Sequence, residues 1–374
     1  MIKIKNINKS LLICIILFMI ISCITIYSSM LYLPSYLGNL ALKQAIWYII
    51  GFILIILVFK YSSNDYRFIY YLYILNILLL ALLLVIGQPI NGSKCWFIIP
   101  GIGSLQPSEF MKIVLIITLS KVTSKWTMRL PRKITIKDEV KLFTMIMLIF
   151  LPPTILTFLE PDTGAVLIYF IIILSILWTS PLRKRWFIIL FLIIGISLGA
   201  FLGIYFFKQS LFVDIFGTDL FYRIDRLLDW KNGTGMQLEN SLAAIGSASV
   251  FGHGYMKTPV YFPESGTDFI FAVFASNFGL VGCLLFIILL IYFNITLLGI
   301  SKKTDDITNK YIISGTIGMF LYQQIQNIGM TLGILPITGI TLPFISYGGS
   351  SLLSYLLIIG IIFKISSNNK NSIY

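Results

Sequence analysis

A chain of 374 residues that is 57% hydrophobic and only 11% charged lacks the roughly 25% of charged residues with which a soluble domain faces water, and this excludes an ordinary soluble protein. The net charge of +13 raises nucleic acid as a partner, but in a membrane protein basic residues first report orientation. Their placement assigns them to that role, with attraction to anionic lipid headgroups as the second consequence.

Apolar runs near Leu11–Ser29, Gln44–Phe59, Phe68–Ile86, Ser108–Val122, Leu142–Leu159, Thr163–Trp178, Trp186–Phe207, Phe269–Phe293, Tyr311–Leu332 and Phe344–Phe363 reach or approach the roughly 20 residues that cross a hydrocarbon core. They predict an all-α integral membrane protein of about ten transmembrane helices. The chain reads as one polytopic domain over residues 1–374, with both termini on one side. The first run follows a lysine-rich start but has no small-residue cleavage site before Tyr32, so it reads as a retained helix rather than a signal peptide.

With the N-terminus inside, the inner segments hold 20 of the 28 lysines and arginines, counting Lys121 at the inner end of the fourth span, the outer segments seven, and Lys112 alone lies deep in a span. Nine of the 15 acidic residues lie outside, five inside, and Glu109 in the fourth span. The inner side is therefore strongly positive and the outer side slightly negative, so both termini are cytoplasmic. Cys14, Cys23 and Cys283 fall in spans and Cys95 is alone in the outer loops, so no internal disulfide is expected.

Three outer segments stand out. Gln88–Pro107 holds Asn91, Gly92, Lys94, Trp96, Pro100 and Gly103; a large loop between the seventh and eighth spans, about residues 208–266, contains Gly217, Gly233, Gly235, Gly246, Gly252 and Gly254; and Pro336, Gly339 and Pro343 lie between the last two spans. Long loops in a compact protein are usually functional. No period of 20 to 50 residues recurs, which argues against a solenoid, and no similarity between halves points to an inverted-repeat transporter.

Glu109 and Lys112 are three apart on the fourth helix, so they share a face and can pair. Ionisable residues within a span face protein or water, and packing of the bundle and a role in an active cavity are equal readings. Pro107 suits the first turn of that helix. Asp268 sits at the outer mouth of the eighth span, before Phe269-Ile270-Phe271. Desolvation there raises a carboxylate towards a useful general base, while position alone also fits a helix N-terminal carboxylate favoured by the dipole. Glu264 is a second acidic candidate. Asn327, Gly329, Thr331, Gly333 and the run Pro343 to Ser351 read as close helix packing or as a polar cavity lining. His253, the sole histidine, reads as a loop residue; neither a serine triad nor a histidine-ligated metal centre is legible, and no nucleotide-binding loop appears.

Six segments in order carry a resemblance: Asn91-Gly92-Ser93-Lys94-Cys95-Trp96, Gln106-Pro107-Ser108-Glu109 with Lys112, Pro161-Asp162-Thr163-Gly164, Gly235-Met236-Gln237 with Ser241 and Ala244-Ile245-Gly246-Ser247, Thr267-Asp268-Phe269-Ile270-Phe271, and Pro343 to Ser351. Each alone is weak. Together, on a ten-span topology, they resemble the SEDS (RodA/FtsW/SpoVE) family of bacterial shape, elongation, division and sporulation proteins, from about Asn91 to Phe363.

The resemblance implies a peptidoglycan glycosyltransferase of the bacterial cytoplasmic membrane that polymerises lipid II into a growing lipid-linked glycan on the outer face. The carboxylate matching Asp268 is then the catalytic base. Glu109, Lys112, Lys94, Gln106, Glu264, Ser346, Gly348, Gly349 and Ser350 are then the cavity and substrate-binding candidates. A divalent cation, Mg or Mn, is implied at the pyrophosphate leaving group, and a class B penicillin-binding protein as partner; no metal ligands, organic cofactor or nucleic acid are read. Two features depart from the family pattern and suggest a divergent paralogue. Ala275-Ser276-Asn277-Phe278-Gly279 stands where two acidic residues are common, and Ser247-Ala248-Ser249 where glycines are usual. The outer loop around Asp229–Gly235 is also lean. Two other readings compete with the polymerase: a transporter of lipid-linked precursor, motivated by the buried Glu109 and Lys112, and a non-catalytic scaffold for cell-wall enzymes, motivated by Ser276 and Asn277.

Overall fold

The computed structural model describes residues 7–32, 38–61, 66, 68–88, 93–99, 103–131, 134–218, 221 and 235–369. Helices dominate: α1 (Lys9–Ser29), α2 (Leu40–Tyr61), α3 (Ile69–Ile86), α4 (Pro107–Met128), α5 (Ile136–Leu159), α6 (Thr163–Thr179), α7 (Arg185–Phe207), α8 (Gln209–Phe216), α9 (Met236–Ser247), α10 (Ile270–Lys302), α11 (Ile307–Thr331) and α12 (Gly349–Asn369). A short antiparallel hairpin, β1 (Phe97–Ile99) and β2 (Gly103–Leu105), pairs Phe97 with Leu105.

Seven of these helices, α1, α2, α3, α5, α7, α10 and α12, are long and apolar enough to cross a membrane, and α6 is an apolar helix of 17 residues. The other two predicted spans fall in α4 and α11. These carry the ion pair and a run of buried amides, which lower their apolar content without exposing charge to lipid. The chain is therefore a multi-pass membrane protein. Side chains such as Ile13, Ile53, Leu78, Phe191 and Leu285 are exposed along the helices, as a lipid-facing surface requires, because hydrocarbon is as apolar as they are.

Sequence chemistry sets the helix ends. Asn8 caps α1 through Leu11 N, and Asp306 caps α11 through Thr308 N and Asn309 N. Thr135 and Asp138 form a reciprocal capping box at the start of α5, which satisfies two otherwise orphan donors. Beside it Glu139, fully buried, takes the Arg185 guanidinium at 2.9 Å and the Arg183 backbone N–H at 3.3 Å. The basic α6–α7 turn is thereby clamped to α5.

The packing is centred on α4, α11 and α12. α12 lies along α2, and α11 against α6, α4 and α10, while α1 packs between α2 and α10 and α9 rests on the start of α10. α7 packs chiefly on α8. The core is dense in aromatic rings: Phe18 stacks on Phe344 with centroids 5.4 Å apart, and Phe293, Phe320 and Tyr355 pack around Phe344.

Two predicted spans need correction. The eighth runs on to Lys302 rather than ending at Phe293, because the apolar run continues to Ile300. At 33 residues, about 50 Å at 1.5 Å per residue, it exceeds a membrane's core and bends at Gly279, whose φ of +63° breaks the helical path. The tenth does not begin at Phe344. Residues Phe344 to Gly348 turn before α12, because their carbonyls are taken by other helices: Tyr48 donates to Phe344 O at 2.6 Å, Ser22 to Ile345 O at 2.8 Å and Gln44 to Ser346 O at 3.2 Å. The large outer loop also contains two helices, α8 and α9; residues 219–220 and 222–234, including the lean stretch from Asp229, lie outside the described residues, as do Asn91 and Gly92.

Candidate functional site

Asp268 lies two residues before α10, in a turn whose carbonyl at Glu264 accepts both Thr267 N at 3.1 Å and Phe269 N at 3.0 Å. Glu264 reaches this turn with φ of +56°, a left-handed conformation that a non-glycine residue holds only when its surroundings fix it. Its carboxylate accepts the Thr267 hydroxyl at 2.6 Å. The wall opposite comes from the segment after α11. Gly339, at φ +67°, is so placed that a Cβ on it would lie 3.5 Å from Asp268 Oδ2. A Cβ there would only touch the carboxylate at ordinary contact distance, and it is the left-handed φ that favours glycine.

Four hydrogen bonds tie these two stretches of chain together. Asn327, fully buried on α11, donates to Asp268 O at 2.7 Å and to Ile340 O at 2.8 Å. Ser346 donates to Thr267 O at 2.6 Å, and Tyr347 N to Gly266 O at 2.9 Å. Phe344 holds φ at +68° within this turn, pinned by its buried ring and by Tyr48. The backbone around Asp268 is thus held from both sides. Burial, then Glu264, then Asp162 raise its pKa to about 7.

Glu109 and Lys112 form one contact, 2.5 Å apart, with Lys112 fully buried. Lys112 Nζ lies 3.4 Å from Tyr355 Oη on α12, and Gln323 Nε2 of α11 donates to that same hydroxyl at 2.6 Å. A third cluster surrounds Asp162, which caps α6 through Ala165 N at 3.0 Å and accepts from Gln106 Nε2 and Ser108 Oγ, each at 3.0 Å. Gln106 in turn accepts Trp96 Nε1 at 3.1 Å, and its N–H donates to Ser350 Oγ, which donates to Ser104 O. The hairpin, α4, α6 and α12 meet there. Glu160, two residues earlier and fully buried, has no hydrogen-bond partner for either oxygen; burial and then Asp162 raise it to about 8. Burial likewise raises Cys95, whose thiol donates to Glu160 O.

The predicted site residues fall into three hydrogen-bonded groups: Glu264 and Ser346 bond to the Asp268 turn, Glu109 pairs with Lys112, which reaches Tyr355, and Gln106 contacts both Asp162 and Ser350. Lys94 is exposed before β1 and hydrogen-bonds none of them among the described residues. Gly348 donates its N–H to Gln44 at 3.4 Å. Gly349 serves packing, because a Cβ there would come within 2.6 Å of Trp47.

Asn327, Gln323, Tyr355 and Gln44 are parts of the assembly that spacing alone does not assign. The available signal is an amide or phenol inside an otherwise apolar span. Ser276 and Asn277, the departures from the family pattern, are buried and structural: Asn277 donates to Ser28 at 2.6 Å and accepts from Thr258 at 3.2 Å, and their carbonyls accept His253 N and Gly254 N. A Cβ on Gly252 would lie 2.3 Å from Asn277 O, so glycine there permits this close approach. No three His, Cys, Asp or Glu side chains among the described residues converge as a metal cage.

A helical membrane bundle with a carboxylate at the outer mouth of a span, Asp268, and a buried ion pair on α4 defines a multi-pass membrane protein with polar groups gathered inside the bundle. Residues 8–371 match the model of the cell cycle protein family FtsW/RodA/SpoVE, and the chain belongs to that family. It is 34% identical over 315 residues, 80% of this chain and 79% of the relative, to a probable peptidoglycan glycosyltransferase FtsW of Coxiella burnetii. It is 32% identical over 306 residues to stage V sporulation protein E of Bacillus subtilis, covering 78% of this chain and 76% of that one. The fold matches a chain from a peptidoglycan synthase complex with TM-score 0.78 at 23% identity, covering 97% of this chain and 98% of that one. It also matches the rod shape determining protein RodA of Thermus thermophilus with TM-score 0.69 at 24% identity, covering 97% of each.

Proposed function

We infer that this chain is a peptidoglycan glycosyltransferase that polymerises lipid II on the outer face of the cytoplasmic membrane, with Asp268 as general base. The observation that supports the assignment of the base is the place of the Asp268 carboxyl, beside Gly339 at the mouth of α10, where burial and then Glu264 raise it to about 7. A group with that affinity for protons accepts and releases one near neutral pH. The carboxylate takes the proton of the acceptor sugar's 4-hydroxyl as that oxygen bonds to the donor's anomeric carbon. The bond from that carbon to the pyrophosphate oxygen breaks, and undecaprenyl pyrophosphate leaves with the electron pair. The proton on Asp268 then passes to water. Because the described residues form no metal cage, no step is routed through a cation. Similarity to a chain from a peptidoglycan synthase complex supports a class B penicillin-binding protein as partner.

The test is polymerisation of lipid II by the purified chain, alone and with such a partner, in parallel with Asp268→Asn. Glycan strands from the wild type and none from a folded Asp268→Asn support the reading. Equal polymer from both removes Asp268 as base. Movement of lipid II across liposomes without polymer favours a transporter instead.

A further inference from the structure

The Tyr355 hydroxyl is a junction that the proposed chemistry does not use. Tyr355 is fully buried on α12, with its ring packed 5.6 Å from both Phe320 and Phe344. Its oxygen lies 2.6 Å from Gln323 Nε2 on α11, 3.4 Å from Lys112 Nζ on α4 and 3.5 Å from Thr341 Oγ1. Lysine and an amide NH₂ only donate, so of these three neighbours only Thr341 can accept the phenol's own proton, across a contact longer than the usual O–H···O bond of about 2.5–3.0 Å. Thr341 directly follows Ile340, which Asn327 ties to Asp268, and is two residues from Gly339, the wall of Asp268.

A continuous path therefore runs from Glu109 through Lys112 and the Tyr355 hydroxyl to the segment 339–341 that faces the base. Phe344, held at φ +68°, lies against the same Tyr355 ring. One side chain thus touches the ion pair, the strained turn and the wall.

We propose that Tyr355 is a positioning residue, which sets the placement of the Gly339–Thr341 wall against Asp268 and couples it to the Glu109–Lys112 pair through the contact of its hydroxyl with Thr341. This proposal rests on the assignment of Asp268 as base. Tyr355 touches no reacting atom. It acts through Thr341, and displacement of such a wall by a fraction of an ångström to an ångström lowers turnover by about tenfold to a hundredfold.

The experiment uses the full chain in nanodiscs and compares wild type, Tyr355→Phe, Thr341→Val and the double variant, with lipid II turnover and hydrogen exchange as readouts. Expected is a kcat about tenfold lower in each single variant, with KM for lipid II within about twofold of wild type and a double variant no slower than the slower single. Faster exchange of residues 336–347 should accompany it in both. Full kcat in Tyr355→Phe, or multiplicative losses in the double variant, would overturn the coupling. If Tyr355→Phe does not fold, Thr341→Val decides: a lower kcat at unchanged KM supports the proposal and a full kcat overturns it. If wild type makes no polymer, the functional reading fails by itself. The exchange then decides the coupling, which falls if residues 336–347 exchange at the wild-type rate in Thr341→Val.

Discussion

The buried amide of Asn327 donates to the backbone carbonyl of Asp268 at 2.7 Å and, with its second proton, to Ile340 O at 2.8 Å. One side chain on α11 therefore sets the spacing between the base and the wall it faces. Asn327→Ala leaves two carbonyls without donors, each worth about 1–3 kcal/mol when buried and unpaired. The expected outcome is a lower melting temperature together with reduced lipid II turnover, measured on the same purified sample. Normal turnover would show that the two carbonyls do not place Asp268.

The raised pKa of Asp268, about 7 against the ordinary 3.8, has two opposite consequences. A base works deprotonated, so turnover should rise with pH to a plateau above about pH 7, and this acid limb should vanish with the activity in Asp268→Asn. For stability, the native state holds this proton more tightly than the unfolded chain, so the contribution of Asp268 falls as pH rises from about 4 to about 7. A pH–rate profile with its acid limb near pH 4 would refute the assignment.

Glu160 offers a test away from the reacting atoms. Fully buried, with neither oxygen hydrogen-bonded, it is raised from 4.5 to about 8. It is therefore neutral in the resting protein, and its contribution to stability falls as pH rises from about 4.5 through 8. Glu160→Gln removes the titration while keeping the shape. The variant's melting temperature should exceed that of wild type by a margin that widens between pH 7 and 9. An unchanged margin over that range would show that the carboxyl is already ionised at pH 7.

The pair of Glu109 and Lys112 should behave as a unit. Removing one partner of a buried pair leaves an uncompensated charge and costs about 3–5 kcal/mol. Lys112→Met and Glu109→Gln are each expected to destabilise strongly, and the double variant less than the sum of the two. Thermal melts of the three variants in detergent measure this, and strict additivity would show that the 2.5 Å contact contributes nothing.

Much of this was open to a reading of the chain alone. Hydropathy located segments that each overlap a helix, and basic loops set the expected orientation. Asp268 was legible as a base candidate because a carboxylate beside Phe269-Ile270-Phe271 is a local feature. The start of the tenth span was misread because Phe344 is as apolar as the helix after it. The side chains that take its carbonyls, Tyr48, Ser22 and Gln44, lie some 300 residues away in sequence.

Amino-acid order by itself thus determined that the chain lives in a membrane, with its acidic residues concentrated on one side, because transfer free energies and loop charge are properties of short segments. Only the tertiary structure decided which polar groups act together. The pairing of Asp268 with Gly339, of Gln106 with Asp162, and of Lys112 with Tyr355 depends on how α4, α6, α11 and α12 cross. Such contacts join residues that no periodicity relates, and burial at their meeting points is what lifts a carboxylate into the neutral range.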